Sequence, residues 1–126
     1  MPVVGLGIDI VNIKRIEKVL SNNKSKFLLK ILHKKEKNKV KLTANSVAKK
    51  FAAKEAFAKA LGTGIGKTIN FNEIYIDHSK NGAPKIILDK NVEKRILVKL
   101  RLKKIKFFLS ISDDYPFATA TVIISN

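Results

Sequence analysis

The 126-residue chain contains no cysteine. Disulfides, thiolate metal sites and cysteine nucleophiles are thereby excluded. It also lacks an apolar stretch long enough to cross a bilayer, and no signal-peptide pattern opens it. A cytoplasmic protein with no membrane partner is therefore expected. Acid is scarce: Asp and Glu number 10 against 26 Lys and Arg, a formal net charge of +16. Arginine is scarce as well, limited to Arg15, Arg95 and Arg101. A field of that sign attracts polyanions, whether nucleic acid, phosphorylated cofactors, anionic lipid or an acidic protein. Nucleic-acid readers rely on arginine for bidentate contacts. No arginine or aromatic cluster falls on a common face, and the first helices lack a helix-turn-helix turn. A basic nucleic-acid or ribosome-associated module is thus the main rival reading, and nucleic acid is not an expected partner. Much of the lysine is solvated surface with no assigned task.

What is present fits one soluble domain over residues 1–126, with 45% hydrophobic and 29% charged residues. No linker, low-complexity segment or internal repeat interrupts it. VVGLGIDIV at 3–11 reads as a buried strand. Asn12 is positioned to cap a helix to about Leu20, SNNKS at 21–25 breaks it, and a second helix carries Phe27, Leu28, Ile31 and Leu32. The lysine-rich run 34–41 continues or connects this helix. Asn45 or Ser46 then caps a long helix ending at Gly62, where a glycine suits a left-handed stop. In the second half, INFNEIYID is a strand candidate and Asn81-Gly82 a hairpin turn before PKIIL. Asp89 caps a helix over 90–102, and KFFLSIS and FATATVIIS are strands joined by DDYP. The order is α+β, a single domain with an antiparallel sheet packed on a long central helix.

Two acids carry the chemical interest. On a strand, Asp9 shares a face with Gly5 and Gly7, leaving bare backbone beside a carboxylate and room for a ligand. An aspartate ending a strand also commonly caps the next turn. On the long helix, Ala48, Phe51, Ala52, Glu55, Lys59 and Gly62 form one stripe, and the opposite side is also apolar. Such a helix is packed on both sides, so Glu55 sits where an isolated charge is expensive. Lys59, four residues on, is placed to pair with it. Two carboxylates with no thiolate suit a hard ion, and Mg²⁺ characteristically takes one or two carboxylates plus water and substrate phosphate. Spacing alone does not show that Asp9 and Glu55 meet.

GLGIDIV at 5–11, FAAKEAFAKALGTGIG at 51–66, and LSIS followed by ATATVII at the end resemble holo-acyl-carrier-protein synthase. This is the short bacterial type of 4′-phosphopantetheinyl transferase, and the resemblance runs from Gly5 to Ile124. It implies that Asp9 and Glu55 bind Mg²⁺, which also holds the pyrophosphate of coenzyme A. The serine hydroxyl of an acidic acyl carrier protein then attacks the β-phosphorus, releasing adenosine 3′,5′-bisphosphate, in support of fatty acid biosynthesis. Lys59 matches the lysine that contacts the phosphate and stabilises the transition state. Glu55 and a metal-bound water remain alternatives as the base. Gly62, Thr63 and Gly64 are expected against the cofactor, Lys50 and Phe51 more loosely so, and Ser110 beside it. Lys14 and Arg15 match the carrier-protein docking site. The short members are homotrimers with sites at subunit interfaces.

The chain also departs from the pattern. Asp113 stands where some members have a cofactor-touching histidine, and an aspartate repels phosphate, so that role is not carried over. His33 and His78 are expected at the surface. Two further rivals are a Mg²⁺-dependent enzyme acting on another pyrophosphate compound and a degenerate structural relative. Intact Asp9, Glu55 and Lys59 count against the second.

Overall fold

Strand β1 (Val3–Asn12) leads straight into helix α1 (Ile13–Ile31), and Asn12 makes the joint by accepting the Lys14 N–H on its side chain at 2.9 Å. This computed structural model describes residues 2–37 and 42–126. Helix α2 (Ala44–Ala60) follows, then a single 3-10 turn at Phe71–Glu73 and the hairpin of β2 (Tyr75–His78) and β3 (Pro84–Ile87). Helix α3 (Lys90–Leu100), β4 (Lys106–Asp114) and β5 (Phe117–Ser125) complete the chain. The strands form an antiparallel sheet in the order β1-β5-β4 and a separate β2-β3 pair, giving the expected α+β architecture.

Alternation along the strands gives the three-stranded sheet two different faces. Gly7, Asp9 and Val11 of β1 stand opposite Val122, Ala120 and Ala118 of β5 on the inner face, which α2 covers. Val47, Ala48, Ala52, Ala53, Ala56, Phe57, Ala58 and Ala60 of α2 are all buried, so the helix is indeed packed on both sides. Phe57 meets Phe107 of β4 edge-on, with ring centroids 5.1 Å apart. The outer face carries Leu6, Ile8 and Ile10, which are 65%, 63% and 63% exposed. The expectation of a wholly buried first strand is therefore corrected: only every second side chain is turned inward.

Several local expectations shift for physical reasons. The polar break does not: Asn23 inside SNNKS is non-helical (φ −155, ψ 63) and divides α1 into the two expected helical segments. Helix α2 is capped by Thr43, not by Asn45 or Ser46. Thr43 accepts the Ser46 N–H, and Ser46 accepts the Thr43 N–H in return, as in a capping box. Its far end stops as expected, with Gly62 at φ +80. The first part of INFNEIYID is the 3-10 turn and only its end is strand. His78 is exposed on the hairpin, but His33 is buried, against expectation. Its ring stacks on Tyr75 at 5.4 Å, and Nδ1 accepts the Lys35 N–H at 3.0 Å. Of the lysine-rich run, residues 34–37 form a turn and 38–41 lie outside the described residues.

Candidate active site

Gly5 and Gly7 are small for a reason other than ligand access. A Cβ on either would fall inside the van der Waals envelope of the Ala60 and Ala56 carbonyl oxygens of α2. The missing side chains let β1 lie directly on the helix backbone. That approach brings the next inward residue, Asp9, to Glu55 and Lys59.

The Lys59 ammonium donates to Asp9 Oδ1 at 3.1 Å and to the Ile8 carbonyl oxygen at 3.1 Å. It thus reaches across to β1, and its influence on Glu55 is electrostatic, without a hydrogen bond between the two. Glu55 is half-buried, and burial first, then the Asp9 charge, raise its carboxyl above the ordinary range, with Lys59 only partly offsetting them. Two carboxylates that feel each other's charge, with one lysine bonded to Asp9 alone, form a site short of positive charge. A hard divalent cation fits this donor set: both ligands are carboxylate oxygens, and cation binding relieves the repulsion that raises Glu55. No group of three or more His, Cys, Asp or Glu side chains gathers for a metal among the described residues. A cation here would draw its other ligands from water or substrate.

The segment after α2 offers backbone but few free donors. Gly62 donates to the Lys59 carbonyl at 2.9 Å, and Thr63 and Gly64 both donate to Ala58 at 3.4 and 3.2 Å. Gly62 and Gly64 adopt φ +80 and +69, and nothing would meet a Cβ on either. The loop is open at both glycines next to Lys59, and the Thr63 hydroxyl between them donates to the Gly64 carbonyl at 3.1 Å. Its N–H groups at these three positions are engaged by the helix end.

The other expected site residues do not all converge there. Lys50 lines a cleft of about 290 Å³ between the start of α2 and the β2-β3 hairpin, with Lys49, Ile76, Pro84 and Ile111 of β4 as further walls. Phe51 is half-buried and stacked on Phe71 at 5.2 Å, with Phe27 beyond it at 6.4 Å. Ser110 pairs with Thr121 and Ile8 lies opposite the same residue, so all three are on the outer face, away from Asp9. Asp113 is tied to Lys49 Nζ at 3.1 Å and accepts from Asn45 Nδ2 at 3.1 Å, which holds its carboxyl below the ordinary range. Lys14 and Arg15 are exposed on the first turn of α1 without an ion-pair partner among the described residues. The nearest acid along the helix, Glu17, accepts the Tyr115 hydroxyl at 2.8 Å.

One pair escaped sequence reasoning. Lys54, beside Glu55, is fully buried, and its ammonium donates to Glu36 Oε1 at 2.6 Å and to the Ile31 carbonyl at 2.7 Å. Burial brings its pKa down to about 8 against the attraction of Glu36. The signals were a lysine inside an alanine-rich helix and a single acid inside a lysine run. Each was visible, but their partnership was not.

The match to known proteins runs over the same residues. The family model described as the 4′-phosphopantetheinyl transferase superfamily matches residues 5–120. A holo-[acyl-carrier-protein] synthase of Ruthia magnifica is 42% identical, with 97% of this chain and 96% of that protein covered. The crystal structure of the synthase from Neisseria meningitidis superposes with a TM-score of 0.86 at 33% identity, covering 99% of this chain and 100% of the other. The Helicobacter pylori synthase, solved in complex with coenzyme A, gives a TM-score of 0.78 at 41% identity over 95% and 99% of the two chains.

Proposed function

The chain belongs to the 4′-phosphopantetheinyl transferase superfamily, and we propose that it acts there as a holo-acyl-carrier-protein synthase serving fatty acid biosynthesis. In this reading the serine hydroxyl of an apo acyl carrier protein attacks the β-phosphorus of coenzyme A. A bond forms from serine oxygen to phosphorus as the hydroxyl proton passes to Glu55 or to water, the bond to the bridging oxygen breaks, and adenosine 3′,5′-bisphosphate leaves. The observation that carries it is the meeting of Asp9, Glu55 and Lys59 between β1 and α2.

Asp9 and Glu55 are the residues that would hold Mg²⁺. When bound, Mg²⁺ supplies charge neutralisation and alignment for the pyrophosphate. Lys59, half-exposed and anchored on Asp9, is placed to face phosphate oxygens and to oppose the charge that builds on them during transfer. Positioning of this kind is most of what phosphoryl transfer asks of a protein. The open positions of Gly62 and Gly64 give the pantetheine or phosphate portion a surface to lie on, with Thr63 between them. Lys50, walling the cleft with Ile76 and Pro84, suits an anionic nucleotide end of the cofactor.

Carrier docking falls to Lys14 and Arg15, exposed on the first turn of α1 and without an ion-pair partner among the described residues. The apolar outer face supports assembly into a homotrimer, and only a neighbouring copy would bring a Ser110 near an Asp9–Glu55 site. The direct experiment incubates the protein with coenzyme A, Mg²⁺ and apo carrier protein, with and without chelator, and weighs the carrier. A gain of the phosphopantetheine mass that chelator abolishes is expected. No gain with any acidic apo carrier protein would overturn the reading.

A further inference from the structure

The buried Lys54–Glu36 pair has no part in the chemistry above, yet among the described residues it is the most heavily hydrogen-bonded buried side-chain pair. The Glu36 carboxylate accepts three donors. Lys54 Nζ and the His33 N–H meet Oε1 at 2.6 and 2.8 Å, and the Ile76 N–H meets Oε2 at 3.0 Å. Lys54 adds the Ile31 carbonyl at the end of α1. One ion pair therefore joins α2, the C-terminus of α1, the turn after it and strand β2.

The join to β2 bears on the cleft. Ile76 is a wall of that cleft, and Lys50, one turn before Lys54 on α2, is the facing wall. Glu36, Lys50 and Ile76 also line an adjoining cavity of about 230 Å³. Direct packing of β2 on α2 is sparse, whereas β3 leans on β4. The Lys54–Glu36–Ile76 connection thus spans from the lysine-bearing helix to the hairpin beneath the space between them. Glu55, although next to Lys54 in sequence, is only half-buried and faces Asp9 of β1, whose approach is set by the glycine contact with α2.

We propose that the Lys54–Glu36 pair is a positioning clamp that sets the separation of α2 from the β2-β3 hairpin and so the affinity of the cleft for the anionic nucleotide portion of the cofactor. The proposal rests on the cofactor reading of that cleft. A clamp of this kind acts on binding and leaves the phosphoryl-transfer residues in place. Apolar or neutral replacement of both partners of a buried ion pair is commonly tolerated by a fold, whereas removal of one leaves an unpaired charge. The function of the pair is therefore separable from folding.

The test uses the full chain with Mg²⁺ and three variants: Glu36→Gln, Glu36→Gln with Lys54→Met, and Lys50→Ala. The Kd of adenosine 3′,5′-bisphosphate is measured by calorimetry, and KM for coenzyme A and kcat by the carrier mass assay. The double variant is expected to raise Kd and KM about tenfold with kcat within about threefold of the parent, as for a binding wall displaced by a fraction of an ångström. Glu36→Gln alone keeps a neutral acceptor for Lys54 but removes its counter-charge, so it disturbs the fold more than the double variant, and where circular dichroism still reports folded protein it should raise both by about threefold. A nucleotide Kd unchanged in both clamp variants while Lys50→Ala weakens binding overturns the clamp. So does a loss of kcat in proportion to KM. An unchanged Kd in Lys50→Ala instead removes the cofactor reading of the cleft, and the clamp with it.

Discussion

A carboxylate whose pKa is raised in the folded state costs stability whenever it is ionised. Glu55 is such a group, raised by burial and by the Asp9 charge. Above its folded pKa the penalty is fully present, and it is relieved as pH falls from that pKa toward the unfolded value. A divalent cation binds only the ionised pair, so it offsets the penalty at neutral pH and loses its grip on acidification. Added Mg²⁺ should accordingly raise the thermal midpoint of the protein by a few degrees at pH 7.5, and the increment should fade as pH is lowered through the Glu55 titration. Glu55→Gln should melt slightly above the parent without metal and show no response to it, measured by scanning calorimetry. A Mg²⁺ response undiminished in Glu55→Gln would dismiss the site. In the carrier mass assay, Asp9→Ala and Glu55→Ala should each lower transfer by at least about 100-fold, the scale of losing a principal electrostatic element. Unimpaired transfer by either would do the same. Both acids were conspicuous in the sequence by type and setting. Their electrostatic coupling was not legible there, because it depends on how β1 lies across α2, with the two acids 46 residues apart in the chain.

Elements show what patterning conveys and where it stops. The ends of α1 and α2 were legible at Asn12 and Gly62 because a short polar cap and a left-handed glycine act locally. Thr43 was passed over for Asn45 and Ser46, since all three are competent caps and only the capping box with Ser46 decides among them. His33 was misread because its burial arises from Tyr75 and Asp89, both distant in sequence. Gly5 and Gly7 were noticed, but their task is packing against α2 and not contact with a ligand. That distinction makes a prediction. Gly7→Ala would drive a methyl group into the Ala56 carbonyl, destabilise the protein by about 1–3 kcal/mol and separate Asp9 from Glu55. Activity should be lost at temperatures where circular dichroism still reports folded protein. Gly62→Ala meets open space and suffers only its positive φ, about 1 kcal/mol. On α1, Arg15→Glu should raise KM for the carrier protein about tenfold while that for coenzyme A moves less than about twofold, with the difference shrinking in high salt. Equal losses toward both substrates would remove the docking role.

At the scale of the whole molecule, the sheet is finished on one side only. Its inner face is filled by α2, whereas the outer face sets Leu6, Ile8 and Ile10 of β1 beside Ile123 of β5 and Phe108 of β4. A run of large apolar side chains across three strands is an association surface more often than a solvated one. The long-range field does not oppose this, because no charged residue interrupts that stretch, and at physiological ionic strength the +16 charge is screened within about 8 Å. The same face carries Ser110 and Ser112, which no single subunit brings to Asp9. If sites lie between subunits, assembly and catalysis must fail together. Ile8→Lys places a charge at the centre of the face without touching the core, so the fold should persist by circular dichroism. Analytical ultracentrifugation should then find a trimer for the parent and a monomer for the variant. Transfer should fall by at least about 100-fold although Asp9, Glu55 and Lys59 are all intact, because the neighbour's part of the site is gone. A monomeric variant that transfers at the parent rate would place the whole active site within one chain and leave the apolar face without a catalytic purpose.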